Sequence, residues 1–259
     1  MIPRIVVRSI DEGVNVGFIR RFVDPEFNAR NRSRPFAEGV YRLFPKMQEL
    51  IYEGIPGSEI DRLVDSMVRE ALRGAKGGIQ SKIKELQEKF DLFGEELIRK
   101  LLLMFEVEWP KDIPEIICYV GILPRFPRNV ISKEFFVSYE ADENLLMTAS
   151  IHEINHFVMF EKWKAMHGYT REREPMHPEA LWFLEELVVD PTLNEEVIQR
   201  VAAYPQRAYD QFYTQCINQV PVMDYIKEIY FSRVSMEDFL DRSYQFIERH
   251  LDEMKEKCG

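Results

Sequence analysis

The run His152-Glu153-Ile154-Asn155-His156 places two imidazoles four positions apart, with a carboxylate beside the first. At about 100° per residue, positions 152 and 156 of an α-helix come one turn apart on the same face. Two imidazoles so placed can hold one divalent ion. Glu153, one step round the helix, can reach a water on that ion without being a ligand itself. The spacing therefore separates metal binding from base catalysis. Leu145, Leu146, Ala149, Phe157 and Val158 make the same segment apolar over much of its surface. In such a setting an imidazole needs either a hydrogen-bond partner or a ligand.

A zinc site with one open position needs a third protein ligand. The amphipathic segment from Leu181 to Asp190 offers Glu185 and Glu186. Glu186 is preferred, because Asp190 follows it by one turn and can accept the second N–H of a zinc-bound histidine, fixing its tautomer. Glu185 has Val189 at the equivalent place. His167 and His177 are alternative ligands. An oxyanion donor is also wanted, and His177, Tyr204, Arg207, Tyr209 and Tyr213 all follow the helix; their spacing singles out none of them.

The elements that must hold these residues follow from periodicity and punctuation. Ile5 to Ile10 and Val14 to Ile19 flank Asp11-Glu12-Gly13 and predict a short hairpin. Arg30-Asn31-Arg32-Ser33-Arg34 reads as a solvated basic loop. From Ala37 to Phe105 the pattern is helical, with Ser58 and Asp61 as a capping box and Gly74, Gly77 and Gly78 as a helix-helix connection. Ile116 to Leu123 and Phe135 to Tyr139 predict strands, joined by a loop with Pro124, Arg125, Pro127 and Arg128. Helices are expected over Asn144 to Ala165, over Glu179 to Val189, and in segments from Asn194 to Leu251, one opened by Ser235 with Asp238 three residues on. The expected class is α+β, mostly α-helical. Residues 1–112 are expected to form an N-terminal hairpin and helical region and 113–259 to carry the chemistry, either as two subdomains or as one compact unit with a shared core.

Composition bounds the function. With 46% hydrophobic residues among 259, the chain can bury a core, which excludes disorder as its main content. Lys and Arg number 34 against 44 Asp and Glu, a net charge of −10 that argues against a nucleic-acid partner. Up to residue 135 there are 22 basic and 21 acidic residues, and beyond it 12 and 23, so the deficit sits with the proposed site. That imbalance predicts a cleft that tolerates or prefers basic peptide segments. The cysteines Cys118, Cys216 and Cys258 are too widely spaced for a disulfide framework or a zinc ribbon. Apolar runs such as Leu101 to Phe105 fall short of the ~20 residues of a membrane span. No signal-peptide apolar region precedes Asp11. A cytoplasmic protein without membrane contact is expected.

Taken together, His152-Glu153-Ile154-Asn155-His156 and Glu186-Leu187-Val188-Val189-Asp190 resemble the two motifs of the thermolysin-like gluzincin metallopeptidases, His-Glu-x-x-His and Glu-x-x-x-Asp. The resemblance spans Phe135 to Asp190. It implies that His152, His156 and Glu186 bind Zn²⁺, that Glu153 is general base and acid, and that Asp190 orients a zinc-bound histidine. It further implies a zincin-like core with a small β-sheet above the active-site helix, in which Phe135 to Tyr139 is an edge strand where an extended substrate adds as a further strand. The implied activity is zinc-dependent hydrolysis of peptide or protein substrates. The metzincin pattern fails, since Met159 and Lys162 stand where its Gly and third His belong. Rival readings are an iron oxygenase, another metal-dependent hydrolase, and a non-catalytic helical binding or regulatory protein with a structural metal. The intact Glu153 favours catalysis, because metal binding alone does not require it.

Overall fold

The computed structural model describes residues 1–30, 36–52, 57–168 and 174–258. The chain opens with strand β1 (Arg4–Ser9) and four helices, α1 (Glu12–Val23), α2 (Pro25–Arg30), α3 (Phe36–Leu43) and α4 (Pro45–Tyr52). Helix α5 (Gly57–Met104) leads to β2 (Glu115–Gly121), β3 (Arg128–Asn129) and β4 (Glu134–Ser138). Then come α6 (Glu143–His167), α7 (Ala180–Leu187), α8 (Val189–Leu193), α9 (Glu196–Gln199) and α10 (Gln211–Thr214). A small ribbon of β5 (Cys216–Ile217) and β6 (Val220–Pro221) precedes α11 (Val222–Phe231), α12 (Met236–Arg249) and α13 (Leu251–Cys258). The class is thus α+β and mostly helical.

The hairpin expected at the N-terminus is not formed. Asp11 caps a helix instead, its side chain accepting from Val14 N at 3.1 Å, and Val14 to Ile19 belong to α1. The spacing of the residues α1 buries, Asn15, Val16, Ile19, Phe22 and Val23, is helical rather than alternating. β1 pairs in parallel with β2, with Arg4 opposite Glu115, far along the chain. Residues on both sides of position 112 therefore share one sheet and one apolar core. Asn15, fully buried, donates to Ile122 O at 2.8 Å and accepts from Ile122 N at 2.9 Å, pinning α1 to the end of β2. Gly121 permits this approach, since a Cβ there would meet Asn15 Oδ1 at 2.4 Å.

Nor do the glycines at 74, 77 and 78 break a helix: α5 runs through them for 48 residues. Each glycine costs a helix about 1 kcal/mol relative to alanine. The apolar spine of α5, including Val64, Val68, Leu72, Ile79, Leu86 and Phe90, is buried along its length and outweighs that cost. Gly78 lies against the Tyr139 ring, where a Cβ would stand 3.0 Å from Cε2. Positions 31–34 of the basic run and the side chain of Ser58 lie outside the described residues.

The sheet order is β1-β2-β4-β3, with β1, β2 and β4 parallel and β3 antiparallel to β4. Phe135 to Tyr139 is consequently not an edge strand. β4 is paired on both sides, and the two-residue β3 occupies the margin where a substrate strand was expected. The other margin, β1, is met by α5: Gln87 accepts from Val7 N at 2.8 Å and donates to Ile5 O at 3.1 Å. Below β4 lies α6, started by Asp142, which accepts from Leu145 N at 2.9 Å, and ended by Gly168 in the left-handed conformation (φ 63°). Phe135 and Phe157 pack between strand and helix, their rings 6.4 Å apart. Helix α7 is buried along its whole length against α12, which Ser235 caps as expected by accepting from Asp238 N at 3.0 Å. No helix among the described residues is long and apolar enough to cross a membrane.

Candidate metal centre

Two buried helices bring the proposed ligands together. α6 places His152 and His156 with ring centroids 4.4 Å apart and planes at 82°, and α7 places Glu186 Oε2 3.4 Å from His152 Nε2. One donor atom from each of the three lies within 4.8 Å of the others. Donors around a tetrahedral ion at about 2.0–2.2 Å stand roughly 3.4 Å apart, so small side-chain rotations suffice to close the set. His156 is fully buried, and neither of its ring nitrogens has a hydrogen-bond partner among the described residues. Burial, with the charges of Arg128 and His152 adding to it, holds its pKa well below the usual histidine value. That direction favours the neutral ring, the form that ligates a cation.

The neighbouring carboxylate is committed elsewhere. Glu185 is fully buried and accepts from Arg128 Nη2 at 2.6 Å. Arg128, reached from the edge strand β3, also donates through Nη1 to Glu153 Oε2 at 3.2 Å, and its Nε lies 3.9 Å from Glu174. Glu174 in turn accepts from Val130 N at 2.5 Å. One guanidinium thus faces a crowd of four acids, Glu153, Glu174, Glu185 and Glu186. Burial pushes the carboxyls of Glu153, Glu174 and Glu185 upward, and Arg128 opposes it in each case. Burial works to lower the pKa of His152, but the hydrogen bond and charge of Glu186 outweigh it and raise the value. A dication would relieve this surplus of buried negative charge and occupy the orphaned nitrogens of His156. The donor set of two imidazoles and a carboxylate suits zinc.

Asp190 lies beyond an interruption at Val188, where α7 ends and α8 begins. Its carboxylate accepts from Lys227 Nζ at 2.9 Å, from Asn194 Nδ2 at 3.2 Å, and from the Tyr213 hydroxyl. No bond between Asp190 and His152 or His156 is present among the described residues. The interruption explains this, since an unbroken turn is what would align position 190 with 186. The same network continues through Asn194 Oδ1, which accepts from Gln206 N at 2.9 Å, to Thr148 O on α6, which accepts from Gln206 Nε2 at 3.1 Å.

Above the ligands opens a cavity of about 410 Å³, lined by His152, Glu153, Glu186 and Arg128 on one side and by residues of α1 to α3 on the other. Of the oxyanion candidates, His177 and Tyr209 line it. Tyr204, Arg207 and Tyr213 do not, and they bond to Glu143, Asp210 and Asp190 respectively. His167, at the end of α6, lies 3.1 Å from Asp241 and outside the ligand group. His177 stands edge-on to Trp182, at 4.6 Å between centroids.

Sequence reasoning missed Arg128 and Glu174. Arg128 opens the two-residue strand β3 and Glu174 sits in an irregular segment, places where a charge ordinarily meets water, and no periodicity marks either as half-buried. Comparison of the chain with protein-family models, with curated proteins and with solved structures returned no match.

Proposed function

We propose that this protein is a zinc-dependent metallopeptidase of zincin-like architecture, with His152, His156 and Glu186 as ligands and Glu153 as general base. One observation carries the reading: a fully buried imidazole, His156, neither of whose nitrogens has a partner among the described residues, within donor reach of a second imidazole and a carboxylate. Such a group costs free energy unless something fills it. When bound, zinc supplies the Lewis acidity that activates water and polarises a peptide carbonyl. The remaining work belongs to the chain. Glu153 lines the cavity next to the ligand His152, where a proton can be taken from water and passed to a leaving amine. Arg128 restrains Glu153 Oε2, so Oε1 is the oxygen left to accept that proton. His177 and Tyr209 line the same cavity and are the donors for developing negative charge. The cysteines Cys118, Cys216 and Cys258 are too widely spaced for a disulfide framework, which fits a cytoplasmic setting.

A second reading, a metal-binding protein without hydrolytic activity, is favoured by the same Arg128 bond, because a base engaged by a guanidinium is partly withdrawn from water. Glu153→Gln separates the two. Metal analysis of the variant should find zinc retained, and digestion of a peptide library should fall by about 10²–10⁴. Equal cleavage by variant and parent would sink the catalytic assignment.

A further inference from the structure

The cavity beside His152 and Glu186 has a wall that the metal site does not explain. Phe22 stacks on Phe36 at 5.2 Å, Phe27 meets Phe36 edge-on at 5.1 Å, and all three line the cavity. They come from α2, α3 and the end of α1, the helices that follow β1. Across the cavity stand Trp182 and Tyr209, their rings 5.8 Å apart. Two guanidiniums rest on the Phe wall: Arg21 lies 4.7 Å over the Phe27 ring and Arg125 lies 6.0 Å over Phe36. Both arginines are exposed cavity-lining residues; Arg21 lies near enough to Glu174 to act on its carboxyl, and Arg125 has no ion pair among the described residues. The acids of the same cavity are differently placed. Glu153 and Glu174 face Arg128, and Glu186 faces His152. A ligand entering here meets an aromatic lining and two exposed guanidiniums at the rim.

We propose that this cavity takes an aromatic side chain flanked by a carboxylate, so that the substrates are acidic peptides with an aromatic residue beside the cleaved bond. The inference rests on the peptidase reading for cleavage but not for binding. It replaces the basic-peptide preference expected from the charge of the C-terminal half. Net charge averages over the whole surface, whereas the rim charges come from Arg21 and Arg125, both in the nearly neutral first 135 residues. A volume of about 410 Å³ lies within the range of about 300–1,000 Å³ usual for ligand sites and leaves room for main chain beside the ring.

The test uses the full chain loaded with zinc and four otherwise identical fluorogenic peptides carrying Phe-Asp, Phe-Lys, Ala-Asp or Ala-Lys at the central bond. Phe-Asp should be cleaved about 10-fold or more faster than either Phe-Lys or Ala-Asp. The double variant Arg21→Glu/Arg125→Glu should reverse the Asp-over-Lys order while keeping Phe over Ala. In parallel, binding of acetyl-Phe-Asp and acetyl-Phe-Lys is followed by Trp fluorescence in chelator, where no cleavage intervenes. Tighter binding of acetyl-Phe-Asp by the parent, lost in the double variant, supports the inference even if no peptide is cut, and in that case the peptidase reading falls instead. Cleavage indifferent to the flanking charge, or an order unchanged by the double variant, overturns the inference and leaves the peptidase reading standing. Neither cleavage nor preferential binding overturns both.

Discussion

Two buried polar clusters sit within a few residues of each other on α7 and α8, and they differ in one respect. Around Asp190 both carboxylate oxygens have donors, from Tyr213 on one side and from Lys227 and Asn194 on the other. Around Glu186 the hydrogen-bonding is incomplete: both nitrogens of His156, Nδ2 of Asn155 and Oε2 of Glu185 have no hydrogen-bond partner among the described residues. A saturated network fixes a fold, whereas an unsaturated one in a buried site marks a place for a ligand. The contrast ties Asp190 to the 206–213 segment and α6, and leaves the His-Glu group as the one that could hold an ion.

The comparison can be broken most forcefully at His156. In the parent, zinc at about 1,000 times its Kd should add about 4 kcal/mol of stability. At about 2–4 °C per kcal/mol for a chain near this size, that gives a clear rise in Tm. His156→Ala should show no rise and no bound zinc by elemental analysis, with its metal-free Tm close to the parent's. A zinc-dependent rise that survives the substitution would move the site elsewhere.

Arg128 should give the next largest effect. Arg128→Met strands Glu153 and Glu185 without a cation, and loss of one partner of a buried pair costs about 3–5 kcal/mol. Urea unfolding measures that loss, and added zinc should recover part of it by supplying charge. An unchanged urea midpoint would mean that the acids take up protons, or find other donors, once Arg128 is gone.

Tyr213→Phe should give the smallest change. It removes a hydroxyl that donates to Asp190 and accepts from Ala208 N at 2.9 Å, so stability should drop by about 1–3 kcal/mol. Zinc content should stay that of the parent. If zinc were lost as well, the two clusters would be one, and Asp190 would orient the ligands after all.

What the sequence made legible was local. The His152/His156 spacing, the cap at Ser235 and the strands near 116–123 and 135–139 each depend on a few neighbouring residues, and each is present in the fold. Position in the sheet was not legible, because β4 is made internal by pairing with β3 and β2, and nothing within Phe135 to Tyr139 reports that. The hairpin at Asp11 failed because the same Asp-Glu-Gly triplet that turns a hairpin also starts a helix, and the burial of Asn15 against β2 decides between them. Glu185 and Glu186 were distinguishable only in part. Val189 against Asp190 favoured Glu186, but the partner that occupies Glu185 comes from Arg128, 57 positions earlier.

Gln87 has a further effect, on solubility rather than chemistry. Its one amide occupies the outward N–H of Val7 and C=O of Ile5, the groups through which β1 would template a strand from another molecule. β1 is six residues long and rich in β-branched side chains, the composition from which intermolecular sheets grow. A change at position 87 would therefore surface first as aggregation of otherwise folded protein, well before any change at the candidate metal site.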